Sequence, residues 1–420
     1  MSLSRRTFLG AAVAGSAMLS APTVMAQGRP KVIVIGGGAG GATAARYIAR
    51  DSEGTIDVTL IEPSRIYYTC FFSNLYLGGY REFESLGHTY GALAAHGINV
   101  IHDYAVGVDR NAKTVTLAGG DVLSYDRLVV SPGIDFKDGS VPGWDITKQN
   151  LMPHAYKAGS QTQLLKAQVE NMREGGTYCM VAPPNPYRCP PGPYERISMV
   201  AHMLKERNPT AKILIVDPKP NFSKQALFED GWQRHYPGMI ERLGPDFGGD
   251  KVEVRPDAME VVIDGQVESV DVCNVIPGQQ AGKIAQVAGL TADTGWAPVN
   301  PFSMQSRLDE AVYVLGDSSQ QGDMPKSGFS ANSQAKVAAN HIRGDLTGSR
   351  VFPARYSNTC WSLIDTNDGI KVGASYEPTE EKIASVGGFI SQVGEDAALR
   401  QATYEESVGW YEGITADMFS

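Results

Sequence analysis

The sequence has few cysteines, no long apolar run after residue 26 and no excess of basic residues. Five cysteines in 420 residues are too few for a disulfide scaffold, so each has to be interpreted individually. A net charge of -9 argues against a nucleic-acid partner, because proteins that bind phosphates cluster Lys and Arg. Beyond residue 26 the sequence lacks the ~20 consecutive apolar residues of a spanning helix, so we expect no integral membrane segment.

The first 26 residues differ from the rest of the chain. Arg5-Arg6 is followed by an apolar stretch from Phe8 to about Ala21 and by the small-residue site ending at Ala26. This order is typical of a twin-arginine export signal. A short membrane anchor is the weaker alternative, because Gly and Ser interrupt the apolar stretch. We expect cleavage after Ala26 and a periplasmic location.

The remaining sequence contains two α/β blocks and a distinct C-terminal segment. A strand, a tight turn and a helix over residues 31–50 precede a second strand at 57–61, and the same order returns from Gly175 onward. The prediction is therefore an α/β protein with two Rossmann-like dinucleotide-binding domains and a C-terminal α+β domain. The predicted segments are 27–150 with 290–350, then 151–289, then 351–420.

The turn of the first block is rich in glycine. Gly36, Gly38 and Gly41 fit the pattern G-x-G-x-x-G, in which glycines allow a tight turn, approach of a pyrophosphate and close packing of helix on strand. Glu62 ends the following strand, where an acid binds ribose. A purely structural glycine turn is the poorer interpretation, since strand, helix and acid all stand in order.

Two later segments favour FAD over NAD. Residues 125–133, ending in Gly133, resemble the strand and turn of flavoproteins with two dinucleotide domains, and residues 312–317 resemble their late strand, whose final aspartate, here Asp317, bonds the ribityl chain. The helix predicted from about Ser330 would direct its N-terminus at the flavin. Lys326 either adds positive charge there or is an exposed loop lysine.

The second block has no matching glycine loop. Its turn, residues 182–195, is rich in proline, which supplies no N–H and crowds the backbone. We therefore expect no nicotinamide cofactor and a different electron donor. The turn carries Cys189, and Cys360 lies in another segment beside the predicted cofactor site. A redox disulfide, a structural bridge and two buried thiols all remain open for this pair.

Over essentially its whole length, signal included, the chain resembles the flavoprotein subunit of flavocytochrome c sulfide dehydrogenase, which is related in fold to sulfide:quinone reductases and glutathione reductase. The most specific stretches are residues 67–74, 183–195, 326–329, 359–362 and 410–411. The resemblance implies that Cys70 carries the FAD covalently as a thioether. It also implies that Cys189 and Cys360 form a redox-active disulfide over the flavin.

The activity implied is oxidation of hydrosulfide to sulfane sulfur or polysulfide, with electrons passing through FAD to a c-type cytochrome. The chain has no C-x-x-C-H motif, so haem is expected only on a partner subunit, which would dock at the C-terminal domain. Glu195 is a candidate for proton transfer, or a first-turn acid that complements a helix dipole. No metal site is predicted.

Two other functions compete with this one. A sulfide:quinone reductase would use the same disulfide but usually has an amphipathic C-terminal anchor, and residues 398–420 show no broad apolar face with basic flanks. A non-catalytic flavin-binding subunit would not need Cys189 and Cys360.

Overall fold

A computed structural model describes residues 28–420. The predicted export signal, residues 1–26, lies outside the described residues. The described chain folds into two parallel sheets with helices packed on them, several small antiparallel units and a C-terminal sheet with a long helix. This agrees with the predicted α/β class. The exact domain borders stay a prediction.

The first parallel sheet contains the N-terminal strand. Lys31–Ile35 lies between Asp57–Ile61 and Arg127–Val130, and its last four residues are buried, as expected for a β-branched strand covered on both faces. Strands are added first on one side of Lys31–Ile35 and then on the other, and open parallel sheets bind ligands beyond the carboxyl ends of the strands at such a point. In sheet order the strands are Gln305–Ser306 (antiparallel), Asp309–Val314, Arg127–Val130, Lys31–Ile35, Asp57–Ile61 and Asn99–Ile101.

The second parallel sheet has four strands. Its register places Cys179 opposite Cys273, and both side chains are fully buried, so these two cysteines serve as small core residues. In sheet order the strands are Ile240–Leu243, Lys212–Val216, Thr177–Val181 and Val272–Val275.

The remaining strands are antiparallel. They form the C-terminal sheet Tyr356–Leu363, Gly369–Pro378 and Ile383–Ile390, and four smaller units: Ile66–Tyr68 with Gly87–Thr89; Ala105–Asp109 with Thr114–Leu117 and Val122–Ser124; Ile134–Phe136 with Gln279–Ala281; and Val252–Arg255 with Glu260–Ile263 and Gln266–Ser269.

Within residues 28–420, six long and three short α-helices connect these strands. The long helices are Gly41–Asp51, Ser160–Glu170, Gly192–Arg207, Gln225–His235, Gly328–Thr347 and Ala397–Phe419, and the short ones are Ser73–Leu77, Gly91–Ala95 and Lys283–Val287. Single 3-10 turns occur at Phe83–Leu86, Ile146–Lys148, Pro245–Phe247, Pro256–Ala258 and Gly316–Ser318. Between residues 28 and 420, no helix has the length and apolar character needed to cross a membrane.

The C-terminal helix ties the C-terminal segment to the first sheet domain. At its end, Phe419 packs 5.8 Å from Tyr67 and 5.7 Å from Tyr90 between ring centroids. About two helical turns earlier, the Tyr411 hydroxyl lies 3.1 Å from Thr69 Oγ1. These contacts hold the segment that precedes Cys70 against the helix, and so help to position the site described next.

Candidate active site

The glycine-rich loop follows the central strand of the first sheet. Gly36 has a φ of +98°, and a Cβ there would lie 2.3 Å from the carbonyl oxygen of Ser131. A Cβ at Gly41 would lie 1.8 Å from the carbonyl oxygen of Gly36. Both obstructing atoms are backbone, so only glycine fits either position.

A cleft of about 1110 Å³ opens beside this loop. Gly41 packs behind it in the helix, and the start of the Gly328–Thr347 helix forms part of its wall. Six of the predicted cofactor residues line the cleft: Gly36, Gly38, Glu62, Cys70, Gly133 and Asp317.

Glu62 lies where a ribose acid is expected. One carboxylate oxygen accepts the N–H of Gly37 at 2.8 Å, and the other accepts that of Ser64 at 2.9 Å. Each oxygen keeps a lone pair for a further donor. The carboxylate is thus fixed at the mouth of the glycine loop and can accept hydroxyl protons.

Asp317 follows the strand Asp309–Val314 and is buried. Its Oδ2 lies 3.7 Å from Arg188 Nη1, while its Oδ1 has no hydrogen-bond partner in the described part of the chain. Burial raises the pKa of this carboxyl, and the charges of Arg188 and Lys326 oppose the rise. A buried, unpaired carboxylate oxygen needs a donor, and a polyhydroxyl chain such as the ribityl of FAD supplies one. The residues present therefore fit FAD.

Lys326 is a buried lysine next to Asp317. Its ammonium donates to the carbonyls of Asp317 (2.8 Å) and Ser319 (2.7 Å) and lies 3.7 Å from the centre of the Trp296 ring. Only 8% of the residue is exposed, and burial lowers its pKa to about 8. The alternative of an exposed loop lysine is therefore wrong. Lys326 lines a neighbouring cavity with Trp296, so its contact with the cofactor stays a prediction.

A second cavity, which we call the thiol chamber, adjoins the cleft. It measures about 870 Å³ and shares Cys70 and Arg188 with the cleft. Cys189, Cys360 and Glu195, the three predicted catalytic residues, all line it. The structure holds the two cysteines as unbonded thiols, so their disulfide stays a prediction.

The proline-rich turn presents Cys189 to this chamber. Cys189 has a φ of +54°, its N–H donates to the carbonyl of Lys326 at 2.7 Å, and its carbonyl accepts the N–H of Gly192 at 2.7 Å. Burial raises the pKa of its thiol well above the usual value, and Cys360 and Glu195 add to the rise. The backbone is thus anchored on both sides of the sulfur.

Behind the turn, the acid that ends the second strand of this domain is already paired. Asp217 is fully buried and accepts hydrogen bonds from the Tyr194 hydroxyl (2.7 Å) and Arg242 Nε (2.9 Å), with Lys219 Nζ at 2.7 Å. A carboxylate with three partners is not free for a ribose. The second block therefore lacks both parts of a nucleotide site, the glycine loop for the phosphates and a free acid for the ribose.

Glu195 lies in the first turn of the Gly192–Arg207 helix. Its carboxylate accepts from Asn74 Nδ2 at 2.8 Å and from the N–H of Leu363 at 3.0 Å. Burial raises its pKa, and these two hydrogen bonds oppose the rise. The side chain thus complements the helix and also faces the chamber, so both sequence interpretations remain compatible with its position.

Sequence reasoning missed three polar residues of the site. Asn74 holds Glu195, Arg188 bridges cleft and chamber, and Lys224 donates to the carbonyl of Cys360 at 3.0 Å. The position of Arg188 next to Cys189 was an available signal. Asn74 lies in the family-specific stretch 67–74, which was also a signal. Lys224 gave none, since its contact joins segments more than a hundred residues apart in the chain.

Three family models match the chain. The model described as sulfide dehydrogenase [flavocytochrome c] flavoprotein chain, central, matches residues 162–277, and the flavocytochrome c sulphide dehydrogenase flavin-binding model matches residues 353–419. A pyridine nucleotide-disulphide oxidoreductase model matches residues 30–170. The flavin-binding model supports the FAD assignment.

Individual relatives point the same way. The sulfide dehydrogenase [flavocytochrome c] flavoprotein chain of Chlorobaculum thiosulfatiphilum is 49% identical over 47 residues, which are 11% of this chain and 96% of that sequence. Mouse mitochondrial sulfide:quinone oxidoreductase is 21% identical over 310 residues, covering 70% of this chain and 66% of the mouse protein.

Among solved structures, the sulfide:quinone oxidoreductase of Aquifex aeolicus superposes with a TM-score of 0.69 at 18% identity and covers 92% of each chain. This likeness confirms the predicted fold class. The two matching family models and the C. thiosulfatiphilum sequence show that the chain belongs to the family of flavocytochrome c sulfide dehydrogenase flavoprotein chains.

Proposed function

We propose that this protein is a periplasmic sulfide dehydrogenase, exported by a twin-arginine signal. It oxidises hydrosulfide to sulfane sulfur or polysulfide through a Cys189–Cys360 disulfide and FAD, and passes the electrons to a c-type cytochrome subunit. The observation that carries the proposal is the shared wall: Cys189, Cys360 and Glu195 line a chamber that meets the cofactor cleft at Cys70.

The chemistry of the first step follows from thiol–disulfide exchange. Hydrosulfide attacks one sulfur of the disulfide, the bond between the two cysteines breaks, and a persulfide forms on one cysteine while the other leaves as a thiolate. Glu195, buried at the chamber wall with a raised pKa, is placed to take up the proton of the persulfide. FAD, when bound, supplies the two-electron acceptor for the sulfur that is oxidised.

Cys70 is the proposed point of covalent flavin attachment. It belongs to both cavities, so its sulfur can reach a ring held in the cleft. Acid precipitation of the purified protein should leave the yellow chromophore on the polypeptide. The Cys70→Ser variant should release it, whereas Cys179→Ser, a change at a buried core cysteine, should not. Full release from the wild type would refute the attachment.

The outer strand of the C-terminal sheet, two strands from the one that carries Cys360, supports docking of a partner. On the edge strand Ile383–Ile390, the apolar side chains of Val386, Phe389 and Ile390 are 57%, 50% and 46% exposed. Exposed apolar patches of this kind mark sites of protein association. The cytochrome subunit is proposed to cover this strand.

The decisive experiment is anaerobic addition of sulfide to the purified protein, followed by cytochrome c. Sulfide should bleach the flavin, and the cytochrome should then be reduced while the flavin colour returns. The Cys189→Ser and Cys360→Ser variants should keep their flavin but show no bleaching. Wild-type flavin that sulfide does not bleach would contradict the proposal.

Sulfide:quinone reduction is the second candidate function. It is favoured by the matches to sulfide:quinone oxidoreductases, which extend over 70% and 74% of this chain for the mouse and Dictyostelium discoideum proteins. The same anaerobic experiment separates the two functions when a soluble quinone replaces the cytochrome. Reoxidation by quinone but not by cytochrome c would establish this alternative.

A further inference from the structure

The two cysteines of the thiol chamber have different polar surroundings. The amide nitrogen of Asn358 lies 3.3 Å from Cys360 Sγ. The Ser327 hydroxyl donates to Asn358 Oδ1 at 2.5 Å while it accepts the N–H of Ser330 at 3.0 Å. Ser327 therefore fixes the orientation of the amide, so that a donor and not an acceptor faces the sulfur of Cys360.

A buried cation lies beside the same cysteine. Lys224 Nζ donates to the carbonyl of Cys360 at 3.0 Å and to Ser362 Oγ at 2.9 Å, and only 5% of the residue is exposed. Its backbone has a φ of +62°, an uncommon value for a residue with a side chain. Burial lowers the pKa of Lys224 to about 8, and the neighbouring Cys360 and Glu195 favour its charged form.

Cys189 shares the charge of Lys224 but not the hydrogen bond from Asn358. Burial raises the pKa of its thiol well above the usual value, Cys360, Glu195 and Cys70 raise it further, and Lys224 opposes the rise. Burial and Glu195 also raise the pKa of Cys360, but the hydrogen bond from Asn358 and the charge of Lys224 oppose that rise. A negative charge is therefore better stabilised on Cys360 than on Cys189.

We propose that Lys224 and Asn358 are positioning residues that stabilise a thiolate at Cys360 and thereby decide which cysteine hydrosulfide attacks. The inference rests on the proposed function. Hydrosulfide bonds to Cys189 Sγ, the Cys189–Cys360 bond breaks, and its electron pair stays on Cys360. The products are a Cys189 persulfide and a Cys360 thiolate, because the sulfur that forms the more stable thiolate is the better leaving group.

The attacked cysteine can be identified in the wild-type holoenzyme. One equivalent of sulfide is added anaerobically, the thiols are alkylated at once, and the protein is digested with trypsin. Cleavage after Arg188 and Arg355 places Cys189 and Cys360 on separate peptides, 189–196 and 356–371. The extra sulfur is expected on peptide 189–196. Extra sulfur on peptide 356–371 would overturn the assignment, and sulfur on neither would refute the proposed function itself.

A second measurement does not depend on sulfide. The disulfide is reduced chemically, and the alkylation rate of each cysteine is followed against pH by the same peptides. Cys360 should be alkylated at lower pH than Cys189. Lys224→Met should slow alkylation of Cys360 at neutral pH by about tenfold, because a charge is lost. Asn358→Leu should slow it because a hydrogen-bond donor to the thiolate is lost. Both variants should move the dependence of the Cys360 alkylation rate on pH to higher pH. Lys224→Arg should restore the profile, and Lys212→Met, a change at a surface lysine, should leave it unchanged.

Both variants should retain bound flavin. If neither Lys224→Met nor Asn358→Leu then shifts the pH dependence of Cys360 alkylation, the proposed role of these two residues is refuted. An alkylation rate that rises at lower pH for Cys189 than for Cys360 in the wild type would refute the thiolate assignment.

Discussion

Replacement of Gly41 by alanine tests the glycine loop most directly. The added Cβ would lie 1.8 Å from the carbonyl oxygen of Gly36 and 3.0 Å from its carbonyl carbon. Neither atom can rotate away, so the helix must shift from the strand. Overpacking of a tight site costs about 1 to 3 kcal/mol, and a backbone obstruction places this substitution near the upper value, about 3 kcal/mol. The shift also displaces the loop that has to contact the cofactor pyrophosphate.

The assay is thermal unfolding together with the ratio of flavin to protein absorbance after purification. Gly41→Ala should lower the melting temperature by roughly 4 °C and reduce the bound flavin. Gly413→Ala is the matched control, because Gly413 lies within the Ala397–Phe419 helix with no atom within 4 Å of an added Cβ. It should stabilise the protein by about 0.5 to 1 kcal/mol. Equal melting temperatures and flavin content for the two variants would refute the reasoning.

Three further predictions concern other parts of the fold. Asp217→Ala leaves Lys219 buried without its carboxylate and should cost about 3 to 5 kcal/mol in denaturant unfolding, whereas the exposed Asp264→Ala should cost under about 1 kcal/mol; similar losses would contradict the buried cluster. Although burial opposes it, hydrogen bonding to a neighbouring histidine and nearby positive charges hold the pKa of Asp368 below its usual value. Its contribution to stability is therefore complete above about pH 5 and lost as the pH falls toward 2, so Asp368→Asn should flatten the acid side of the melting profile, and an unchanged acid limb would count against this. Ser327→Ala removes the side-chain cap of the Gly328–Thr347 helix and should cost about 1 kcal/mol in thermal unfolding, while a neutral result would show that the cap is not needed.

Local spacing was enough to predict the cofactor cleft. Gly36, Gly38 and Glu62 are brought together by two strands, one turn and one helix. The geometry of this unit is regular, so a pattern of a few residues determines the arrangement. The helix after the proline-rich turn begins at Gly192. Pro193 is tolerated there because the first N–H groups of a helix have no partner within it.

The polar surroundings of the cysteines could not be predicted in this way. Lys224 reaches Cys360 from a different domain because its backbone adopts a left-handed conformation, and no sequence pattern marks such a position for a lysine. Lys326 is buried because the ring of Trp296 and two backbone carbonyls surround it. Interactions of this kind depend on the packing of separate segments and become visible only in the folded chain.

The second Rossmann-like domain shows how a nucleotide site can be replaced by a thiol site. Its strand, turn and helix keep the order of the first domain, but the turn contains Pro183 and Pro184 where backbone N–H groups would bind phosphate. Asp217, at the position of a ribose acid, binds Tyr194 and Arg242 inside the protein instead. The end of the turn is held by the hydrogen bond from Cys189 to the carbonyl of Lys326. Because a turn fixed in this way has little freedom, it can hold a sulfur atom at the chamber wall, and the fold that elsewhere positions a cofactor here positions a reactive side chain.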